Sequence, residues 1–407
     1  MLVLLADFAG AQTNIWFDWN ACVAAALAGN PDLVAAGLDV DGAAVDVDKA
    51  NSGRLPQVKA SGSARTSDSS DGETYSAGVS ASQLIYDMGR SGGEVDRARV
   101  GELAARADLE SVSADVRYQL RTAYVKALKA QRLTDLSAEI LKRREDSTRL
   151  IRLRYEAGRE HRGSLLTAEA KEAEARLEQL QAARSQELAY RELAVVMGMT
   201  RAQRFRVKGD VAAPALPTVA PDVEALAAQT PAARRQSLAR DSAELALDVT
   251  RAGRGPTVQA SAEAGRSGPW PPDEDSWSAG IGLSMPIFEG GGRSAAIRRA
   301  GLDLEAVDAR TGQDFRRLVE TLRQRWVDYQ NSVERAGIRE KYREATTERA
   351  KIAEAQYSGG LLLFDNWIII ENEFVEAEKA LVNAQADAMQ AEAAWALALG
   401  RTLDEKD

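Results

Sequence analysis

A single histidine, His161, and a single cysteine, Cys22, restrict the chemistry open to this chain. A Ser-His-Asp relay or an imidazole metal site would rest on one residue, placed in the charged turn Arg159-Glu-His-Arg162. One thiol makes neither an intramolecular disulfide nor a thiolate cluster. Cys22 lies in the amphipathic stretch Trp19-Asn-Ala-Cys22-Val-Ala-Ala-Ala-Leu27 and lacks the Leu-x-Gly-Cys context of lipidation, so it reads as a buried small hydrophobe. No phosphate-binding Gly-x-x-x-x-Gly-Lys-Ser/Thr loop is present. Gly290-Gly-Gly292 follows a strand pattern and opens a helix without the spacing or acidic partner of a dinucleotide fingerprint. Carboxylates recur at helical spacings with Arg and Lys, as on solvated helix faces. The expectation is a protein that is not an enzyme and holds no metal or cofactor.

One acid stands out by its setting. Asp365 alone interrupts the apolar run Gly359-Gly-Leu-Leu-Leu-Phe-Asp-Asn-Trp-Ile-Ile-Ile370. Repeated around an oligomer axis, it would form a ring of negative charge able to select or gate cations. Gly360, Leu361, Leu362 and Phe364 beside it are candidate partner contacts, because apolar residues exposed at a tip mark an interaction surface. The alternative is that Leu361 to Phe364 tuck under a neighbouring segment. An earlier, polar stretch, Gly158-Arg-Glu-His-Arg-Gly163, occupies the equivalent place, and Gly158, Arg159 and Arg162 are its candidate contacts.

The two stretches are equivalent because the chain is written twice. Tyr155-x-x-Gly158 returns as Tyr357-x-x-Gly360, Glu169 as Glu371 and Gly198 as Gly400, while Tyr75-Ser-Ala-Gly78-Val79 returns as Trp277-Ser-Ala-Gly280-Ile281. Upstream, Asn30-Pro31 matches Thr230-Pro231, and Pro56-x-Val58-x-Ala60-Ser61 matches Pro256-x-Val258-x-Ala260-Ser261. A period of roughly 200 residues is too long for a solenoid. The expected organisation is a first repeat over 12–198, a proline-bearing connector over 199–221, a second repeat over 222–400 and a tail over 401–407.

Each repeat opens with a helix that stops at a proline, Pro56 or Pro256, where helix continuation is forbidden. The period then changes from 3.6 to 2, which predicts strands at about 56–65 and 74–86, and again at about 256–266 and 276–288. Val58, Tyr75 and Val79 in the first pair, and Val258, Trp277, Ile281 and Leu283 in the second, fall on one apolar edge, opposite small and polar residues. That pattern suits strands between lipid and water, and equally a hairpin packed on a soluble core. Four strands cannot close a membrane barrel, and an open edge cannot face lipid. Strands in a membrane would therefore require an oligomer sharing one barrel.

Glycines mark the exits from the strands, with Gly89 and Gly92 in the first copy and Gly290 and Gly292 in the second. Helical pattern then holds over about 91–156 and 293–357, carrying an inward stripe of Val112, Val116, Leu120, Tyr124 and Leu128, and of Leu318, Leu322, Trp326, Tyr329 and Val333. A helix of roughly 65 residues runs about 100 Å, longer than any compact core. Return helices are expected over about 164–197 and 365–399. The fold is thus mainly α with a small β part, two repeats each contributing a long antiparallel helical hairpin and a two-stranded β-hairpin. Aromatics at 6% in an Ala-, Glu-, Arg- and Leu-rich chain agree with long helices. A net charge of -9 without a concentrated basic patch argues against a nucleic-acid partner. Met1 to Ala11 is apolar and ends in Ala9-Gly10-Ala11, like a truncated signal peptide, although Asp7 interrupts it and no Lys or Arg precedes it.

In order, the series Asn30-Pro31-Asp-Leu33, Leu55-Pro56-x-Val58, Gly78-Val79-Ser80, Tyr86-Asp-x-Gly89-Arg90, Tyr155-x-x-Gly158 and Ala194-x-x-x-Gly198, with its second-copy counterparts, resembles the TolC-type outer-membrane efflux family. The resemblance implies a homotrimer in the outer membrane of a Gram-negative bacterium, with a shared 12-stranded β-barrel in the lipid and a periplasmic α-barrel. It further implies a passive exit duct for small toxic compounds, drugs, metals or secreted polypeptide, working with an inner-membrane transporter and a periplasmic adaptor. Acidic residues that narrow the entrance in the family fall by register on Asn366 and Ile369, one place from Asp365. A coiled-coil periplasmic adaptor or scaffold without a barrel is the alternative. It fits less well because two symmetric β-hairpins, each with an apolar edge, have no place in it.

Overall fold

The computed structural model describes residues 15–66, 73–199 and 205–405, so the signal-like segment 1–11 and the end of the tail lie outside the described residues. In chain order the elements are β1 (Ile15–Phe17), α1 (Trp19–Gly29), α2 (Pro31–Ser52), β2 (Gln57–Thr66), β3 (Glu73–Tyr86), α3 (Arg90–Glu156) and α4 (Arg162–Val196). There follow β4 (Phe205–Val207), α5 (Val223–Gln229), α6 (Pro231–Ala252), β5 (Thr257–Gly268), β6 (Glu274–Ser284), α7 (Gly292–Ser358) and α8 (Phe364–Ala398). The long helices α3 and α7 each contain 67 residues, and α4 and α8 each contain 35. No single helix among the described residues is long and apolar enough to cross a membrane.

Contacts divide the chain into two units. One comprises 35–110 and 228–318 and holds the four-stranded sheet, most of α2, all of α6 and the first turns of α3 and α7. Its strand order is β2-β3-β5-β6, antiparallel throughout, so the second hairpin adds directly to the first and β2 and β6 are left as edges. The register aligns the apolar residues. Val58 faces Ala81, Ala60 faces Val79, Val79 faces Ala264, Ala264 faces Trp277, Ala260 faces Ile281 and Val258 faces Leu283. Directly opposed residues share a face, so Val58, Tyr75, Val79, Val258, Trp277, Ile281 and Leu283 lie together on one side. Trp277 is 82% exposed and Ile281 73% exposed. The other side carries Lys59, Ser61, Ser63, Ser76, Gly78, Ser80, Ser261, Glu263, Ser278 and Gly280.

The strand-to-helix exits differ in detail from the expectation. In the first copy the turn is made by Met88 and Gly89, both at positive φ, whereas Gly92 already lies inside α3. The Asp87 carboxylate accepts the amide of Ser91 at 2.7 Å and so caps the helix ahead of Gly92. In the second copy Gly290 and Gly291 turn the chain, and Gly292 is the first residue of α7. β6 stops at Ser284, short of the expected 288, since Pro286 has no amide to donate to a ladder.

The other unit comprises 1–34, 111–227 and 319–407. Its main core gathers Cys22, Ala26, Val116, Leu120, Tyr124, Leu128, Leu193, Met197 and Phe205. Cys22 is fully buried, and burial, then the negative charge of Asp18, push its thiol up to about 12. In the second copy Leu322, Trp326 and Tyr329 are buried likewise, with Trp326 packed on Trp395 at 5.4 Å. Within the connector β4 pairs in parallel with β1, three residues against three, and the proline-bearing stretch 208–222 carries no helix or strand before α5. Each repeat starts α2 or α6 alike. Asn30 accepts the amides of Asp32 and Leu33 at 2.9 and 3.3 Å, and Thr230 accepts that of Ala233 at 3.2 Å, each followed by proline at the first helical position.

Candidate functional site at the helical hairpin tips

Both long helices end by one device. Gly158 and Gly360 adopt φ of 69° and 78°, and the next amides fold back, Arg159 N–H to the Arg154 carbonyl and Leu361 N–H to the Gln356 carbonyl, each at 2.8 Å. This left-handed closure satisfies carbonyls that a helix end leaves orphaned and favours glycine, which accounts for the repeated Tyr-x-x-Gly.

Beyond that shared device the tips differ, and they pack on each other. Tyr357 is 1% exposed and stacks on Trp367 with ring centroids 4.4 Å apart, within a cluster that includes Ile151, Ala168, Ala353 and Phe364. Arg154 donates from Nη1 to the Tyr357 carbonyl at 2.6 Å, and its guanidinium sits 4.6 Å from the Tyr357 ring centroid. The Tyr357 hydroxyl donates to Glu160 Oε2 at 3.0 Å. Burial, and then the bond to Glu160, raise the Tyr357 pKa, so the phenol stays protonated and serves as the donor.

A second clamp joins α3 to α8 further from the tips. Arg143 grips Glu371 through two hydrogen bonds, Nε to Oε2 at 2.7 Å and Nη2 to Oε1 at 2.8 Å, and lies 4.8 Å from the Phe374 ring centroid. Adjacent Arg144 donates to Asn372 Oδ1 at 2.7 Å. The hydrogen bonds that Arg143 donates to Glu371 raise the Arg143 pKa, whereas burial lowers that of Arg144. Glu371 is 1% exposed, but its repeat counterpart Glu169 makes an exposed pair with Arg152 at 2.9 Å. A cavity of about 510 Å³ opens beside the clamp, lined in part by Arg143, Leu150, Arg343, Trp367 and Phe374.

The structure separates the residues singled out from sequence. Gly158, Arg159, Arg162 and Gly360 are exposed, as are Asp365 and Asn366 in the first turn of α8. Leu361 is 82% exposed. Leu362 is half-buried and Phe364 is buried in the inter-tip cluster, so the apolar tip is divided between a free surface and an internal joint. Phe364 is thereby withdrawn from the accessible partner surface, because its ring packs near Tyr357 and Trp367. Among the described residues neither Asp365 nor Asn366 makes a side-chain hydrogen bond, leaving both heads free for solvent or ions. The latch residues Arg143, Glu160, Tyr357 and Glu371 escape sequence reading. Glu371 repeats Glu169, but burial of one and exposure of the other depends on packing that no spacing encodes.

Solved structures share this architecture. The outer-membrane channel OprN matches with a TM-score of 0.80 at 23% identity, over 94% of this chain and 90% of that one. The outer membrane protein VceC from Vibrio cholerae matches at 0.77 and 19% identity, over 95% and 96%. The MtrE outer membrane channel of Neisseria gonorrhoeae matches at 0.81 and 20% identity, over 94% and 88%. At these identities the likeness concerns the fold. Among curated protein sequences, none matches significantly. The sequence pattern of the family described as Outer membrane efflux protein, however, matches residues 22–199 and 223–401, one segment for each repeat. With that pattern matched once in each repeat, over most of the chain, and the fold of outer-membrane channels, the chain belongs to the outer membrane efflux protein family.

Proposed function

We propose that three copies of this chain share one outer-membrane barrel and form a passive duct from the periplasm to the exterior. The observation that carries the reading is the sheet. Its apolar face is exposed and its two outer strands, β2 and β6, each lack a partner on one side. Unpaired backbone groups cannot remain in hydrocarbon. Pairing β6 of one copy with β2 of the next satisfies both edges, and three copies give the twelve strands that one copy's four cannot supply. Lipid then covers Val58, Val79, Trp277, Ile281 and Leu283, while the small and polar face lines water.

The helical hairpins form the periplasmic part of the conduit. Arg159, Arg162, Gly360 and Leu361 at the tips meet a periplasmic adaptor, which couples the duct to an inner-membrane transporter. Substrates are small toxic compounds or secreted polypeptide, moved without bond chemistry, and Asp365 places negative charge at the entrance. The Arg143–Glu371 clamp and the Tyr357–Glu160 bond hold the two hairpins of each chain together, so conductance is set by how firmly they hold. The scaffold reading leaves the apolar sheet face without a role. Planar-bilayer recording of the purified protein tests the duct: discrete conductance steps support it, and an electrically silent trimer contradicts it.

A further inference from the structure

We propose that the cavity beside the Arg143–Glu371 clamp is a binding site for an amphipathic anion, an aromatic body carrying one carboxylate. The site lies within one of the two units of a single chain and does not rest on the duct reading. Its volume of about 510 Å³ suits a small molecule, since such pockets span about 300–1,000 Å³. Three helices wall it. α3 supplies Leu136, Ile140 and Leu150, α8 supplies Trp367 and Phe374, and α7 supplies Arg343. An aromatic body laid against these rings and aliphatic side chains removes apolar surface from water on both partners.

The charges lining the cavity select the sign of the occupant. Most are already paired: Arg143 with Glu371 and Glu354, Arg132 with Glu139 at 3.5 Å, and Asp146 with Arg149 at 3.5 Å. Among the described residues, the lining cations Arg343 and Lys142 have no ion pair, and Glu378 is the unpaired carboxylate. The excess is positive. Both buried side-chain atoms of the wall that lack a hydrogen-bond partner, Arg343 Nε and Trp367 Nε1, are donors. The wall is therefore short of acceptors, and a buried donor left without one costs free energy. A carboxylate brings acceptors, and a guanidinium holds it through two parallel bonds. The duplication shows that packing alone does not require this wall. In the register that pairs Tyr155 with Tyr357, Arg343 corresponds to Leu141, Trp367 to Leu165 and Phe374 to Glu172. Leu141 is buried in an apolar cluster with Leu136 and Ile140, so leucine serves helix packing at that position. The guanidinium and the two aromatic rings are departures of the second copy.

The test titrates the full-length protein in a maltoside detergent by calorimetry. The probes are 2-naphthoate, its neutral analogue 2-naphthylmethanol and its cationic analogue 2-naphthylmethylammonium. Wild type should bind naphthoate about tenfold more tightly than the alcohol, the value of one hydrogen bond to a charged group. The ammonium should bind more weakly than either. Arg343→Leu, which restores the side chain of the first copy, should abolish the advantage of the anion and leave the alcohol unchanged, while Arg343→Lys keeps part of it. Ser147→Phe, which fills the cavity, should weaken anion and alcohol alike. Uptake of each probe by micelles is common to all variants and cancels in the comparison. Naphthoate affinity unchanged in Arg343→Leu overturns the proposal, as does tighter binding of the ammonium or no binding of naphthoate to wild type. Should Ser147→Phe fail to fold, the two Arg343 variants decide alone. Binding is read without transport, so an electrically silent trimer would end the duct reading and leave this site standing.

Discussion

Glu371 and Glu169 occupy the same place in the two repeats, and their surroundings give them opposite weights. Removing Glu371 leaves Arg143 facing a buried gap, so Glu371→Ala should lower stability by about 2 kcal/mol, between the values for exposed and fully buried pairs. Glu169→Ala should change it by no more than about 0.5 kcal/mol. Thermal unfolding of the two variants in detergent checks the contrast, and equal effects would show that the clamp does not hold the hairpins. The same loss should raise conductance in Glu371→Ala, since the clamp joins α3 to α8. At the entrance, Asp365→Asn should weaken block by multivalent cations added from the periplasmic side. Unchanged block would take Asp365 out of the gate. Tyr357→Phe keeps the stack on Trp367 and removes only the bond to Glu160, and should increase open time without loss of trimer.

At the scale of elements, helices and strands were legible where a single local rule governs them. Pro56 and Pro256 stop helices, the period-2 runs make the four strands of the sheet, and Gly158 and Gly360 close α3 and α7. Asn30→Ala should cost about 1 kcal/mol through loss of the α2 cap. A further loss should come from the bond of its Nδ2 to the Val196 carbonyl at 2.9 Å. Chemical denaturation would read both, and a neutral effect would contradict the shared start of the two repeats. What could not be read were pairings between distant short segments. Ile15–Phe17 against Phe205–Val207 involves three residues on each side, too few for periodicity to signal. That Gly92 lies inside α3 and not in the turn rests on one carboxylate, Asp87, acting across that turn. His161 read only as one residue of a charged turn, because capping by imidazole, as at the start of α4, has no distinctive spacing.

For the whole molecule, the duplication explains what each chain lacks. Two hairpins give a continuous four-stranded sheet with an exposed apolar face and two unpaired outer edges, which lipid and further copies complete in the proposed trimer. The repeats depart from each other at the tips, where the chain carries Glu160, His161, Leu361 and Asp365 in unequal settings. In the proposed duct, symmetry builds the wall and asymmetry serves the entrance. The most direct test of the shared barrel is native mass spectrometry of the protein extracted in detergent from the outer-membrane fraction. Three chains per particle is the predicted result. A monomer recovered from the soluble fraction would contradict the account.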